Sequence, residues 1–347
     1  MRCLACLAVG AVALCGGAVA QDDFDPVRDF EAFWSLYDQH YALFGVKGVD
    51  WDTVGAMYRA EVTPETTRAA LFGVFEAATD HLNDVHVTVR DEREDRFARS
   101  GARSLGIGPM DDGRFDLALI EDAYATAPLM VRGGGKLRFG WLPGEVGYLR
   151  IDAFRYPTTT EAAADEMAAL FADARAVIVD VRHDGGGSDA VARLIAARFA
   201  DETRPVMTAQ TRTPGAEALG EPVPWVVEPA PDALTMPIVL LTDDRTISAA
   251  ENFALMMRAF GHVAIVGEQT AGALADTYKH QVGAWTFGVP SNVLRDADGV
   301  SWEGIGVVPD LWARTEAADV AAGRDPALEA AIAFARAGGR AERDRLP

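Results

Sequence analysis

Cysteine is nearly missing from this 347-residue chain, and the three present, Cys3, Cys6 and Cys15, all fall within its first fifteen positions. That opening stretch reads as a secretory leader spanning residues 1–20. Arg2 supplies the positive start, Leu4 to Leu14 the apolar run, and Ala18-Val19-Ala20 the small-residue cleavage pattern ahead of Gln21. A chain trimmed there has no disulfide, no thiolate metal site and no cysteine nucleophile. The expected location is secreted or periplasmic. Lipid attachment at Cys15 is the weaker reading, since Leu14 before it is bulkier than such sites favour. Apolar runs of membrane-spanning length are also lacking, so no stable membrane insertion is expected after leader cleavage.

Basic charge is short too. Lysine and arginine total 32 against 52 acidic residues, a formal net charge of −20. Such a surface argues against nucleic acid and anionic lipid as partners. The acidic residues are spread along the chain and read as solvated surface. The six histidines show no HExxH or other metal spacing. Gly185-Gly186-Gly187 fits neither GxGxxG nor GxxxxGK[ST], which removes the dinucleotide and P-loop readings. No metal and no cofactor is expected.

What is present divides by texture. Residues 22–90 read as a helical bundle, with Phe30, Phe33, Trp34, Tyr37 and Tyr41 at helical spacing. A second helix follows Asp50-Trp51-Asp52, and a third begins at Thr63-Pro64-Glu65. These aromatics are expected to be packing residues and not a ligand box. Residues 91–143 read as a small irregular β region, with a strand near Phe115 to Ile120. Ser104 to Gly108 is the nearest approach to the carboxylate loop of a PDZ domain, without enough around it to make that module. From residue 144 to the end the pattern is α/β. Strands are expected at Val146–Ile151, Ala176–Val181 and Val263–Val266, with helices at Thr159–Ala174, Ala190–Phe199 and Ala327–Ala337. Residues 201–235 are a polar, proline-rich excursion, and 278–302 alternate like antiparallel strands turning at Asp296 to Gly299.

Ser248 stands where the apolar strand Ile238–Leu241 hands over to a helix. A side chain there projects beside helix N-terminal amides that favour negative charge. Ser248-Ala249-Ala250-Glu251 is also a capping box, which explains the serine without any chemistry. Gly185 to Gly187 reads either as a bare tight turn or as an oxyanion loop whose backbone can approach a carbonyl closely. His86, at a helix-to-strand junction, is a candidate base, and Glu303 a candidate orienting carboxylate. Each alone has an ordinary structural reading.

Together these pieces resemble one family, the tail-specific or C-terminal processing proteases. The resemblance rests on Asp180-Val181-Arg182-His183-Asp184-Gly185-Gly186-Gly187, Thr246-Ile247-Ser248-Ala249-Ala250-Glu251 and Val266-Gly267-Glu268-Gln269-Thr270-Ala271-Gly272. Leu82 to His86 and Glu303 to Asp310 add two further segments in family order. The resemblance implies a crotonase-like ββα core of α/β class with an amino-terminal helical bundle. Members of the Ser/Lys type carry a lysine where this chain has Ala273, so the chain is more similar to the lysine-less tricorn-core branch. That branch implies Ser248 as nucleophile, His86 as base, Glu303 orienting the imidazole, and Gly186 and Ala249 N–H groups as the oxyanion hole. The implied activity is an exported serine endopeptidase acting on protein or peptide through an acyl-enzyme. The alternatives are a non-catalytic binder of apolar ligands or peptides on the same scaffold, and a small-molecule acyl hydrolase. Asp184 stands where the family has asparagine, and Val85 supplies no hydroxyl beside His86.

Overall fold

The computed structural model describes residues 24–101, 112–156, 160–216 and 218–339. The expected leader and the Ser104–Gly108 loop lie outside them. Four helices open the chain: α1 (Pro26–His40), α2 (Phe44–Lys47), α3 (Trp51–Arg59) and α4 (Arg68–Asp80). Asp25 caps α1, accepting the Val27 and Arg28 N–H groups at 3.1 and 3.0 Å, with Pro26 in the first turn. The third major helix starts later than its sequence suggests. Thr63 and Thr66 close a turn of their own, Thr63 N–H to Thr66 Oγ1 at 2.9 Å, and Thr67 becomes the cap of α4.

Strands β1 (Thr88–Asp91) and β2 (Arg96–Arg99) follow, then a helical turn α5 (Leu117–Leu119) leading into a π-turn over Ile120–Tyr124. The strand expected near Phe115 to Ile120 is therefore helical. Asp116 caps it, its carboxylate accepting the Ala118 N–H at 2.8 Å. The remaining elements are β3 (Met130–Arg132), β4 (Leu137–Leu142), β5 (Val146–Ile151), α6 (Thr160–Leu170), β6 (Ala176–Asp180), α7 (Asp189–Ala196), β7 (Arg204–Thr211), β8 (Val223–Val227), β9 (Ile238–Thr242), α8 (Ala249–Arg258), β10 (Val263–Gly267), β11 (Thr277–Val282), β12 (Trp285–Pro290), β13 (Asn292–Asp296), β14 (Leu311–Trp312), α9 (Ala317–Ala321) and α10 (Pro326–Arg336).

A seven-stranded mixed sheet in the order β14-β10-β9-β6-β5-β4-β3 forms the centre. β5, β6, β9, β10 and β14 run parallel, and β4 and β3 add antiparallel at one edge. β5, β6, β9 and β10 are buried at every position, as strands covered on both faces must be. Strands β3 and β4 thus belong to this sheet, and residues 91–143 are not one separate unit. Residues 201–235 contribute β7 and β8, and β7 pairs with β13 to make a three-stranded sheet. The turn at Asp296–Gly299 therefore ends β13 without starting a hairpin partner.

The aromatic stripe of α1 packs as the sequence implies. Phe33 meets Phe75 at 4.5 Å and Phe287 of β12 at 5.3 Å between ring centroids, and all three are fully buried. Burial of each such ring contributes about 1.5–3 kcal/mol. The bundle is thereby bolted to the four-stranded sheet β11-β12-β1-β2. No helix among the described residues is long and apolar enough to cross a membrane.

Candidate active site

Adjacent parallel strands β6 and β9 end side by side, and the loops leaving their carboxyl ends carry Gly186 and Ser248. This is the crevice where open α/β sheets gather functional groups. Ser248 has φ 62° and ψ −128°. A non-glycine residue held there costs of order 1–3 kcal/mol. The surroundings enforce it. Its N–H donates to the Ala273 carbonyl at 2.9 Å and lies 3.3 Å from Glu251 Oε2. The box over Ser248–Glu251 is present in outline, but its strong contacts belong to Glu251. That carboxylate is fully buried and accepts the Thr270 hydroxyl at 2.5 Å and the Gly272 and Ala273 N–H groups at 2.7 and 2.8 Å. Glu251 is therefore the bracket that fixes Ser248 against residues 270–273, a role the capping reading did not foresee. Burial pushes its carboxyl up to about 7, against the hydrogen bonds it accepts.

Gly186 has φ 87°, and a Cβ there would stand 2.8 Å from Ser248 Cβ and 2.7 Å from Ala249 N. Only glycine lets the two loops touch. Gly186, Ser248 and Ala249 are thus brought together. The Gly186 N–H, however, is donated to Asp184 Oδ1 at 2.8 Å. It does not point into an open oxyanion hole in this arrangement. The Ala249 N–H, first in α8, donates to no group among the described residues. Asp184 is buried, and desolvation raises its carboxyl to about 7, with Arg150 opposing.

The turn carrying His86 leans on Ser248's turn through apolar contact: Val85, Ile247 and Ala273 form one buried cluster. Asn83, at φ 46°, bends the chain so that Asp84 Oδ1 accepts the His86 N–H at 2.9 Å. Tyr41 in turn donates to Asp84 Oδ2 at 2.9 Å. Desolvation lowers the His86 pKa, with Arg99 and Lys47 adding to the fall and Asp84 and Asp276 opposing it. At neutral pH the ring is a neutral base. Its Nδ1 is buried and has no hydrogen bond among the described residues.

Glu303 is buried nearby, but it makes no direct bond to His86. Its Oε2 accepts the Leu274 and Ala275 N–H groups at 2.9 and 3.2 Å, and Oε1 faces Lys47 Nζ at 3.4 Å. Two backbone amides and an ammonium claim the carboxylate that the sequence pairs with the imidazole. Burial pushes its pKa up, and Asp84 adds to the rise. Asp189 is also raised, by desolvation and then by the hydrogen bond it shares with Asp276, whose charge acts on His86. His183, by contrast, is held by Asp112 and Asp243, in a separate ion-pair cluster with Arg114 and Arg245. Lys47 and Asp276 were not legible as site residues, because no short motif surrounds them, whereas Asp84 and Glu251 lie inside the Leu82–His86 and Thr246–Glu251 segments. Ala273 does sit beside Ser248, so the position that would offer a lysine offers a methyl group.

Comparison with known proteins gives a consistent result. The model of Peptidase family S41 matches residues 145–312, the stretch from β5 to β14. The Tricorn protease C1 domain model matches residues 26–79, the amino-terminal helices. A Parabacteroides merdae protein assigned as a peptidase has a similar structure: TM-score 0.79, 24% identity, 90% of this chain and 97% of that one covered. Mature CPAF complexed with lactacystin is similar at TM-score 0.67 and 13% identity, covering 90% of this chain and 98% of that one. The photosystem II D1 C-terminal processing protease follows at TM-score 0.56 and 16% identity, covering 91% and 97%. Identities this low speak to the shared fold.

Proposed function

This chain belongs to peptidase family S41 and is a serine peptidase, and from that premise we propose an exported endopeptidase that works through Ser248, His86 and Glu303. The observation that carries the reading is the strained backbone of Ser248, seated against Gly186 and followed by the uncommitted Ala249 N–H. Backbone strain of that kind persists where the surroundings over-determine it, and it clusters at active sites.

In the proposed reaction, Ser248 Oγ attacks the peptide carbonyl while neutral His86 takes the hydroxyl proton. The carbonyl oxygen becomes an oxyanion and receives the Ala249 N–H. Gly186 can add its own N–H only by exchanging Asp184 Oδ1 for the oxyanion. The intermediate collapses as imidazolium returns the proton to the departing amine, leaving an ester on Ser248. Water then enters by the same route, His86 taking its proton, and the new carboxyl product leaves with Ser248 restored. Glu303 completes the proposed set without a direct bond to His86, its Oε1 facing Lys47 Nζ at 3.4 Å. Export rests on the leader pattern in residues 1–20, and recovery of a chain beginning at Gln21 from the envelope or medium would test it.

The activity is tested by digesting a peptide library with both termini blocked. The wild-type chain should cut internal bonds, and Ser248→Ala should lose at least about 10³-fold in rate. Ester hydrolysis without peptide cleavage would favour the small-molecule hydrolase. Binding of peptides without any cleavage would favour a non-catalytic carrier.

A further inference from the structure

Of the chain's 32 basic residues only three are lysine, Lys47, Lys136 and Lys279. One of the three is buried in the candidate site. Lys47 ends α2 in the amino-terminal bundle, and its side chain is 8% exposed. Its Nζ donates to the Asn83 carbonyl at 3.3 Å and stands 3.4 Å from Glu303 Oε1. Asn83 begins the turn that carries Asp84 and His86, whereas Glu303 lies on the loop that covers residues 270–275. A single ammonium therefore spans both walls of the site. The fit is close: a Cβ on Gly304 would come 3.2 Å from Nζ, so the loop carries glycine at the point of contact. A compact ammonium suits this space better than the longer planar fork of arginine, the chain's usual cation.

We propose that Lys47 is a positioning residue for the peptidase reaction, holding the Glu303 carboxyl at a fixed distance from the turn that carries His86. The inference rests on the Ser248, His86 and Glu303 reading and deepens it, because the amino-terminal bundle then completes the active centre and is not merely packed against it. The charges support the geometry. Glu303 faces Lys47 from α2, Asp84 and Tyr41 from the bundle side, and Glu251 from α8. Burial, Asp84 and Glu251 push its pKa up to about 8, while the Lys47 ammonium and the Leu274 N–H oppose the rise. Lys47 also lowers His86. Removing the ammonium should therefore raise both groups, and the ascending limb of a pH–rate profile should move to higher pH.

The test is the rate of Ser248 labelling by a fluorophosphonate probe across pH, for the full chain and for Lys47→Met and Lys47→Arg. Lys47→Met should label at least about tenfold more slowly near neutrality and recover toward the wild-type rate in alkaline buffer. Lys47→Arg should lie between the two. A thermal melt and hydrogen exchange of each variant report folding separately. An unchanged profile in Lys47→Met overturns the inference. So does a loss that is equal at every pH and is not rescued by arginine, since that is what a purely structural ion pair gives. If the wild-type chain is not labelled, or Ser248→Ala labels equally well, the failure lies in the underlying Ser248 reading and not in the role of Lys47.

Discussion

Asp184 is the residue where chemistry and packing pull hardest against each other. Its carboxyl is buried behind the Gly186 turn, with Oδ1 accepting the Gly186 N–H and Oδ2 without a hydrogen-bond partner among the described residues. An ionised carboxylate there would repel an oxyanion forming at Ala249. Desolvation pushes its pKa up to about 7, so the repulsion is absent below that pH and grows above it. The amide of Asn cannot ionise. Asp184→Asn should therefore leave acidic-side rates nearly unchanged and raise kcat/KM at alkaline pH by roughly tenfold, about 1.4 kcal/mol of transition-state energy. A ratio of variant to wild type that stays flat across pH would show that Asp184 does not sense the reaction.

Among the elements, β6 and its loop depend on a buried ion network at the strand's end. Arg182 bonds Asp180 through Nε and Nη2, and reaches Asp325 at the start of α10 with two contacts of 2.9 Å. Arg150 adds a hydrogen bond to the Asp180 carbonyl at 3.3 Å. Removing one member leaves buried charge without a counter-charge, which costs about 3–5 kcal/mol. Arg182→Ala should lower the unfolding free energy by that amount in urea titration, with α10 loosening first in hydrogen exchange. A loss below about 1 kcal/mol would mean that water replaces the guanidinium easily. The element scale also shows what sequence can reach. β5, α6, β6 and α10 were readable because their apolar periods and end signals are local. The sheets built from residues 88–99 and 204–227 were not. Val89 pairs with Phe287 and Leu294 with Ala209, and such registers are set by surfaces far apart in the chain.

At the scale of the molecule, three bodies of structure meet at one crevice. The mixed sheet supplies Ser248 and Gly186, the bundle supplies Lys47 and Tyr41, and the segments joining them supply His86 and Glu303. Motifs made the first pair legible, since a strand–turn–helix unit has a recognisable order of residues. They also named His86 and Glu303, with Glu303 expected to orient the imidazole. In the fold, Glu303 is anchored by Leu274, Ala275 and Lys47 instead. That arrangement follows from tertiary packing and has no signature in nearby sequence. The central claim remains that Ser248 is an activated nucleophile with His86 as its base. Intact-mass measurement after fluorophosphonate treatment tests it most directly. The account predicts one adduct per chain, mapped to Ser248, absent in Ser248→Ala and formed at least about 10²-fold more slowly in His86→Ala. A well-folded wild-type chain that takes up no adduct, or takes it on another serine, would contradict the account.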